Sequence, residues 1–553
     1  MIFSKPTYGS GKRELTQIAF GGYNHTRSAS EGELYDMKNL TSADYPVLSV
    51  RPPRGLYKTE GSADRILGYS IYDDYICKVV YNLLFGSVRL TINNINTDEY
   101  YNFDLEDEDT RERTVTFLND YMILFPDKKY IKLSELNSEL NSELNHEIFL
   151  YDMEASISSV VTIGEGTYGG VSAEANTITF PENKKLPDFA VGDAVTISGC
   201  VVTENNKTAI IEEIDGNKLI FLEDCFKMPE GETEYTEQKI TVARLVPDLD
   251  YLCGHSNRLY GCKGDTIYVS KLGNPLVWYN YEGSAGAWTS DVGSPGDFTA
   301  CFSYGSYVYF FKEETVYKLY GYRPDNFQLS TSATLGVKAG SAKSLAVASE
   351  ILFYHSRTGI MAYTGGSPSL ISSNFGEIKY KNAIGGSDGT DYYVSLEDDK
   401  GIRTLFKYDT LHGIWMKEDD ISVCGIFFDK RLYFATTNGD LYTADKSFDN
   451  GQYILPEVRS FAEFGDFYTS LDKKVMSRLY ARLELEAEAT VEILIKFDSG
   501  EWETLTSVTA EGKRAVTIPI VPRRCDHYRI KIEGVGTWRL YALSREGYTA
   551  SKK

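Results

Sequence analysis

Catalysis by side chains needs a nucleophile, a base and a group that orients the base, or a metal held by several donors. The six histidines, at 25, 146, 255, 355, 412 and 527, stand alone, each reading as a turn or core residue and not as a base. No His-Glu-x-x-His stretch is present, and no Gly-x-x-x-x-Gly-Lys-Ser/Thr loop that would cradle a phosphate. Eight cysteines, at 77, 200, 225, 253, 262, 301, 424 and 525, are scattered without a Cys-x-x-Cys pair and read as free buried thiols. Cys253, His255 and Cys262 have the flavour of a metal site but lack a second close pair, so no metal and no cofactor is expected. Glycosidases set two carboxylates ~5 to 10 Å apart. The acidic runs at 104–109 and Glu397-Asp398-Asp399 read instead as solvated turns, and Asp127, Asp265, Asp429 and Asp440 as turn residues whose side chains bond the backbone. The expectation is a protein that is not an enzyme.

The elements that carry these residues are strands. Tyr (41) and Phe (27) dominate an aromatic share of 13%, and 47 glycines supply turns. Five stretches share one pattern, a polar turn, an alternating strand, a second turn and a strand centred on Tyr. They begin at Asn119-Asp120-Tyr121, Asn257-Arg258-Leu259-Tyr260, Ser306-Tyr307-Val308, Glu350-Ile351-Leu352 and Lys430-Arg431-Leu432. A further unit runs from Asp391-Tyr392-Tyr393 to Trp415. Spacings of ~40 to 50 residues between the later units match the blade period of a β-propeller.

The period breaks between 153 and 245, where Asp215-Gly216 between alternating strands predicts a type I′ hairpin within a small inserted β-barrel-like domain. Just before it, 134–145 reads SELNSELNSELN. Leu136, Leu140 and Leu144 share one helical face and Ser134 is placed to cap it, so a short helix is predicted near 134–146. After 461, Val491, Ile493, Ile495 and Phe497 alternate with Glu492, Leu494 and Lys496, and Val516-x-Ile518-x-Ile520 and Tyr528-x-Ile530-x-Ile532 repeat the period of two, as in a β-sandwich. Near the start, Pro46, Pro52 and Pro53 force extended or turning backbone. The domain reading is an extended arm over 1–60, first propeller blades with the short helix over 61–152, an inserted small β domain over 153–245, remaining blades over 246–460, and a linker with a C-terminal β-sandwich over 461–553. The fold class is all-β.

Lys and Arg number 57 against 79 Asp and Glu, a net charge of −22 that disfavours tight binding to nucleic acid. The first residues show no basic stretch followed by an apolar one, and no run approaches the ~18 apolar residues that span a bilayer, so neither export nor membrane insertion is expected. The Asn-x-Thr triplets at 24, 39 and 206 therefore carry no glycosylation reading.

Asp36-Met37-Lys38-Asn39-Leu40, then Pro46 and Arg51-Pro52-Pro53-Arg54-Gly55, resembles the opening of the short-tailed bacteriophage nozzle proteins, the tail tubular protein B and packaged-DNA stabilisation group. The group's Arg-Pro-Gly-like turn is here Arg-Pro-Pro-Arg-Gly. Asn257-Arg258-Leu259-Tyr260 through Ser270 to Gly273-Asn274-Pro275 and Trp278-Tyr279 looks like a blade of that family, as does Val308-Tyr309-Phe310-Phe311-Lys312-Glu313 with Val316-Tyr317-Lys318-Leu319. The resemblance implies a virion tail component made in the host cytoplasm and assembled as a hexameric ring. The ring would contact portal, adaptor and other tail proteins and let double-stranded DNA pass with weak, non-specific contact. The family brings no catalytic residues. An acidic wall lets DNA slide, so Asp104, Glu106, Asp107, Glu108 and Asp109 are expected to line or rim the channel. The rival reading is a receptor- or carbohydrate-binding propeller, with Trp278, Trp288 and Trp415 as stacking candidates.

Overall fold

The computed structural model describes residues 13–26, 30–58, 65–94, 99–105, 109–136, 148–168, 171–222, 225–232, 234–444, 458–467 and 474–549. Within them strand is the dominant element, paired antiparallel within the sheets and joined by turns, loops and five short 3-10 turns. It divides into two compact units, Leu67–Ala339 and Met1–Ile66 with Gly340–Lys553. Among the described residues seven four-stranded antiparallel sheets of the β-propeller blade type occur, shared between the two units.

The first unit holds four blades. Their opening strands are Arg65–Tyr72, Thr114–Leu118, Tyr251–His255 and Ala300–Tyr304, each followed by three antiparallel neighbours. The polar turn that recurs in the sequence is the reversal between first and second strands. Ser256 and Asn257 both adopt positive φ (45° and 59°), as the type I′ hairpin requires, because that turn follows the right-handed twist of its strands. Tyr, Phe, Val and Leu of the second strands are buried between adjacent sheets: Val308, Tyr309, Phe310 and Phe311 are each at most 1% exposed. Apolar surface alternating this densely stabilises a blade by about 25 cal/mol for each Å² removed from water.

Between the second and third blades the chain closes a barrel. Its neighbours in order are Ala155–Tyr168, Val171–Thr179, Lys218–Phe221, Thr208–Asp215, Ala194–Ser198 and Glu234–Arg244. Closure leaves no free sheet edge, and Ile163, Ile178, Val195, Ile211, Phe221 and Val242 fill the interior. The predicted hairpin forms one residue later than expected. Asp215 pairs with Lys218, so Gly216 and Asn217 make the turn, and positive φ falls on Gly216 alone (57°), the pattern of type II′ instead of I′. Of the helix expected near 134–146, the described part is one 3-10 turn, Leu133–Leu136, and 137–147 lies outside the described residues. Ser134 donates to Asp120 Oδ2 (2.7 Å), so the residue expected to cap a helix is itself held by the first turn of its own blade.

The second unit holds three blades and a two-sheet sandwich. The blades open with Ala346–Ala348, Lys381–Ser387 and Val423–Asp429, and the last is completed by Gly55–Lys58 from the start of the chain. The sandwich faces Leu479, Ala481, Leu483 and Leu540 against Val491, Ile493, Ile495, Ile530 and Ile532, all at most 1% exposed, as the period of two demands. The N-terminal segment does not lead into this unit as a free arm. Arg13–Gln17 and Leu48–Val50 pair with Trp538–Thr549 in one sheet, and Leu34–Lys38 pairs with Arg459–Phe464 in the other. Beginning and end of the chain are laced into the same two sheets.

Candidate functional site

Arg51 and Arg54 begin and end the Pro-Pro turn. The two prolines hold the backbone extended, and three residues make one turn of such a backbone, so both guanidinium groups project to the same side. They meet Glu418 and Asp419, which follow the fourth strand Ile414–Lys417 of the middle blade of this unit. Arg51 Nη2 lies 2.8 Å from Asp419 Oδ2, and its Nε donates to Asn39 Oδ1 at 2.9 Å. Arg54 donates to both Glu418 and Asp419, and its guanidinium lies over the Phe434 ring, 4.6 Å from the centroid. Beside this cluster, Lys407 Nζ is 2.6 Å from Asp391 Oδ2.

A cavity of 890 Å³ opens next to the cluster, its wall including Lys38, Arg51, Arg54, Asp419, Asp420 and Glu533. Its charges are mixed and largely spent on one another. Burial alone would raise the Asp419 pKa, but Arg54 and Arg51 outweigh it and hold the carboxyl below its ordinary range. Burial likewise raises Asp391 above that range, against the pull of Lys407. A carboxylate locked to two guanidinium groups is a poor proton donor at neutral pH, and with its pKa held down it is also a weak base. The cluster works as an ionic clasp that fastens the N-terminal turn to the blade.

The second motif region is also a fastening. Arg258 is wholly buried, and its Nη1 donates to the carbonyls of Ser270 (2.7 Å) and Gly286 (2.5 Å). Ser270 Oγ in turn accepts from the Leu259 amide (2.9 Å), and Trp278, 1% exposed, donates from Nε1 to Pro275 O (2.8 Å). Asn-Arg-Leu, Ser and the Gly-x-Pro-aromatic segment are thus one pinned loop. A fully buried guanidinium is tolerated because planar donors reach several carbonyls at once.

The acidic run behaves differently. Asp104 ends Tyr100–Asp104, the fourth strand of the first blade, and is exposed and paired with Arg89 (2.9 Å). Asp109 accepts from the amide and the side chain of Arg111, which hold its carboxyl below the usual range. Glu106, Asp107 and Glu108 lie outside the described residues. In this unit the first strands of consecutive blades pack against one another, Thr114–Leu118 on Tyr251–His255 and that on Ala300–Tyr304, whereas Asp104 sits on a fourth strand.

The remaining candidates stay apart. Asp127 is paired with the buried Arg113 (3.2 Å), Asp265 accepts from Lys312, and Asp440 accepts from Asn438 (3.0 Å). His412 Nδ1 is 2.9 Å from Asp409, but Ser42 bonds that aspartate and not the imidazole, so nucleophile and base are not joined. His355 meets Ser341 Oγ (3.0 Å) in the core. Among the described residues no group of three or more His, Cys, Asp or Glu is arranged to hold a metal ion, and Cys253, His255 and Cys262 form no such group. The sequence reading takes Gly-x-Ser-x-Gly to be absent, and that is corrected here: Gly385-Gly386-Ser387-Asp388-Gly389 spells it. It ends a strand and enters an antiparallel hairpin in which Ser387 Oγ accepts from the Gly389 amide (2.9 Å), not the strand-to-helix elbow that exposes a nucleophile. The Glu418–Asp419 pair was also missed, although Arg51 and Arg54, three residues apart around two prolines, signal a waiting pair of acids.

No family model matches the chain, and no curated protein matches it. Solved structures that are similar include that of U3-55K, at 7% identity over 71% of this chain and 98% of that one, with a TM-score of 0.35. Another is the β-propeller domain of the Trilobed protease from Pyrococcus furiosus, at 9% identity over 70% and 95%, with a TM-score of 0.33. An exo-beta-1,3-galactanase from Phanerochaete chrysosporium matches at 9% identity over 53% and 94%, with a TM-score of 0.21. Likeness at this level concerns the fold alone and carries no functional inference.

Proposed function

We propose that this chain is a structural subunit of a short-tailed bacteriophage tail, a nozzle that assembles with its own copies into a ring and continues the DNA channel below portal and adaptor. The observation that carries the reading is the lacing of the N-terminal segment into the sandwich, locked by the Arg51–Arg54 clasp on Glu418 and Asp419. That segment carries the first of the stretches in which the nozzle resemblance lies. Ladders formed by both ends of the chain must shear together before the unit opens, which suits a part loaded while a genome leaves. A net charge of −22 supports the same role, since duplex DNA presents about one charge per 1.7 Å and slides past an acidic wall.

Negative-stain imaging of the purified chain tests it. Six-fold rings whose opening admits a duplex are the expected result, and a chain that stays monomeric at every concentration and salt overturns it. The rival reading, a glycan-binding propeller, draws on Tyr320 and Tyr322, which are 50% and 60% exposed at the end of one strand, with Tyr307 beside Tyr320 (centroids 5.4 Å apart). Trp278 and Trp415 cannot serve it, because both are buried. Glycan-array binding that disappears in the Tyr320→Ala, Tyr322→Ala variant would favour the rival.

A further inference from the structure

Within the unit Leu67–Ala339, the opening strands Tyr251–His255 and Ala300–Tyr304 of two consecutive blades lie side by side, and matching positions touch in pairs. His255 Nδ1 meets Ser303 Oγ at 2.8 Å, and two residues back on both strands Cys253 Sγ meets Cys301 Sγ at 3.2 Å. Strand side chains repeat every two residues, so these contacts are successive rungs of one face. Both cysteines are free thiols; Cys253 is half-buried, and Cys301 is 8% exposed. Two sulfurs already in contact need little backbone movement to reach a covalent bond.

We propose that Cys253 and Cys301 are a modification site, a dithiol that closes into an interblade disulfide when the protein meets a low-molecular-weight disulfide oxidant. The Cys253 thiolate, the more accessible of the two, attacks one sulfur of the oxidant RSSR, forming a Cys253–S–SR mixed disulfide and releasing one RS⁻. Cys301 then loses its proton to solvent and its thiolate attacks the Cys253 sulfur, forming the Cys253–Cys301 bond and expelling the second RS⁻. Two protein thiols are oxidised, one RSSR is reduced to two RSH, and no other electron acceptor is needed. Burial pushes the Cys301 thiol well above its ordinary range, so the second step quickens as pH rises. The bond would add a covalent staple between two blades already joined by the His255–Ser303 hydrogen bond and the Lys312–Asp265 ion pair. Cys262, buried on the same face, is the alternative partner.

Oxidised glutathione added to the intact chain tests this, read by intact mass and by mapping of unreduced peptides. The expected result is a species lighter by two hydrogens, a linked peptide pair holding Cys253 and Cys301, a higher thermal midpoint that dithiothreitol reverses, and closure that is faster at higher pH. Cys301→Ser is expected to stall with one glutathione on Cys253, and Cys253→Ser to acquire neither. A wild-type chain that keeps a stable glutathione on Cys253, that links Cys253 to Cys262, or that stays fully reduced under excess oxidant overturns the proposal. The wild-type time course alone decides it should either serine variant fail to fold.

Discussion

At the scale of single residues the decisive groups are fasteners. Arg54 is the centre of the clasp, with Glu418 and Asp419 both on its guanidinium and its side chain 7% exposed. Removing one member of a buried ion pair leaves its partner desolvated and uncompensated, at a cost of about 3 to 5 kcal/mol. Arg54→Ala is therefore expected to lower the urea midpoint of the unit that carries the sandwich, whereas Arg54→Met with Glu418→Leu recovers most of the loss; equal damage by single and double variants would contradict the clasp. The clasp also fixes a pH dependence. Folding depresses the Asp419 pKa, so its contribution is complete above the unfolded carboxyl value of about 3.9 and is lost as pH falls through the lower folded value. Asp419→Asn should flatten the acid limb of the stability profile below about pH 4 while leaving the neutral-pH slope unchanged. Arg51 and Arg54 were visible in the sequence as a motif; their partners were not, because an acid far along the chain gives no local signal of where the fold will bring it.

At the scale of elements, blades pack through their opening strands, and one approach is too close for a side chain. A Cβ added at Gly386, on Lys381–Ser387, would lie 2.5 Å from Ile426 Cγ2 and 2.7 Å from Ile426 O on the neighbouring opening strand. Backbone cannot yield as a flexible side chain does, so Gly386→Val is expected to destabilise by about 1 to 3 kcal/mol or more, as overpacked cores do. Circular dichroism melts against a Gly366→Ala control, at an exposed position where an added Cβ meets open space, would check it, and an unchanged melt would mean the two strands stand further apart than drawn. The blades, barrel and sandwich were legible because each depends on a period of two and on turn residues that mark reversals locally. Ser256-Asn257 and Ser349-Glu350, both with positive φ, are such marks. The lacing of Arg13–Gln17, Leu34–Lys38 and Leu48–Val50 into the sandwich was not legible, because short strands read as an arm until a distant sheet edge is there to receive them. The hairpin at 215–218 shifted by one residue for a related reason: Asp-Gly and Gly-Asn both spell a turn, and only the register of the whole barrel chooses between them.

At the scale of the whole molecule, charge is the property that every copy shares. With 57 basic against 79 acidic side chains, each chain carries −22, and copies brought into a ring repel one another. Association must therefore rest on apolar and aromatic contact, with electrostatics opposing it. Salt weakens only the opposing part: the screening length falls from about 30 Å at 0.01 M to about 8 Å at 0.15 M ionic strength. A ring of these chains is expected to form more readily as salt rises across that range, measured as the shift of sedimentation from monomer to oligomer at fixed protein concentration. The same chains should fail to retard duplex DNA at any of those salts, because no counterions are released where no phosphates are neutralised. The two measurements constrain each other. Assembly that weakens with added salt would mean that opposite charges join the subunits, and DNA retarded at low salt and released at high salt would mean a basic face strong enough to hold a genome; either result is incompatible with an acidic conduit.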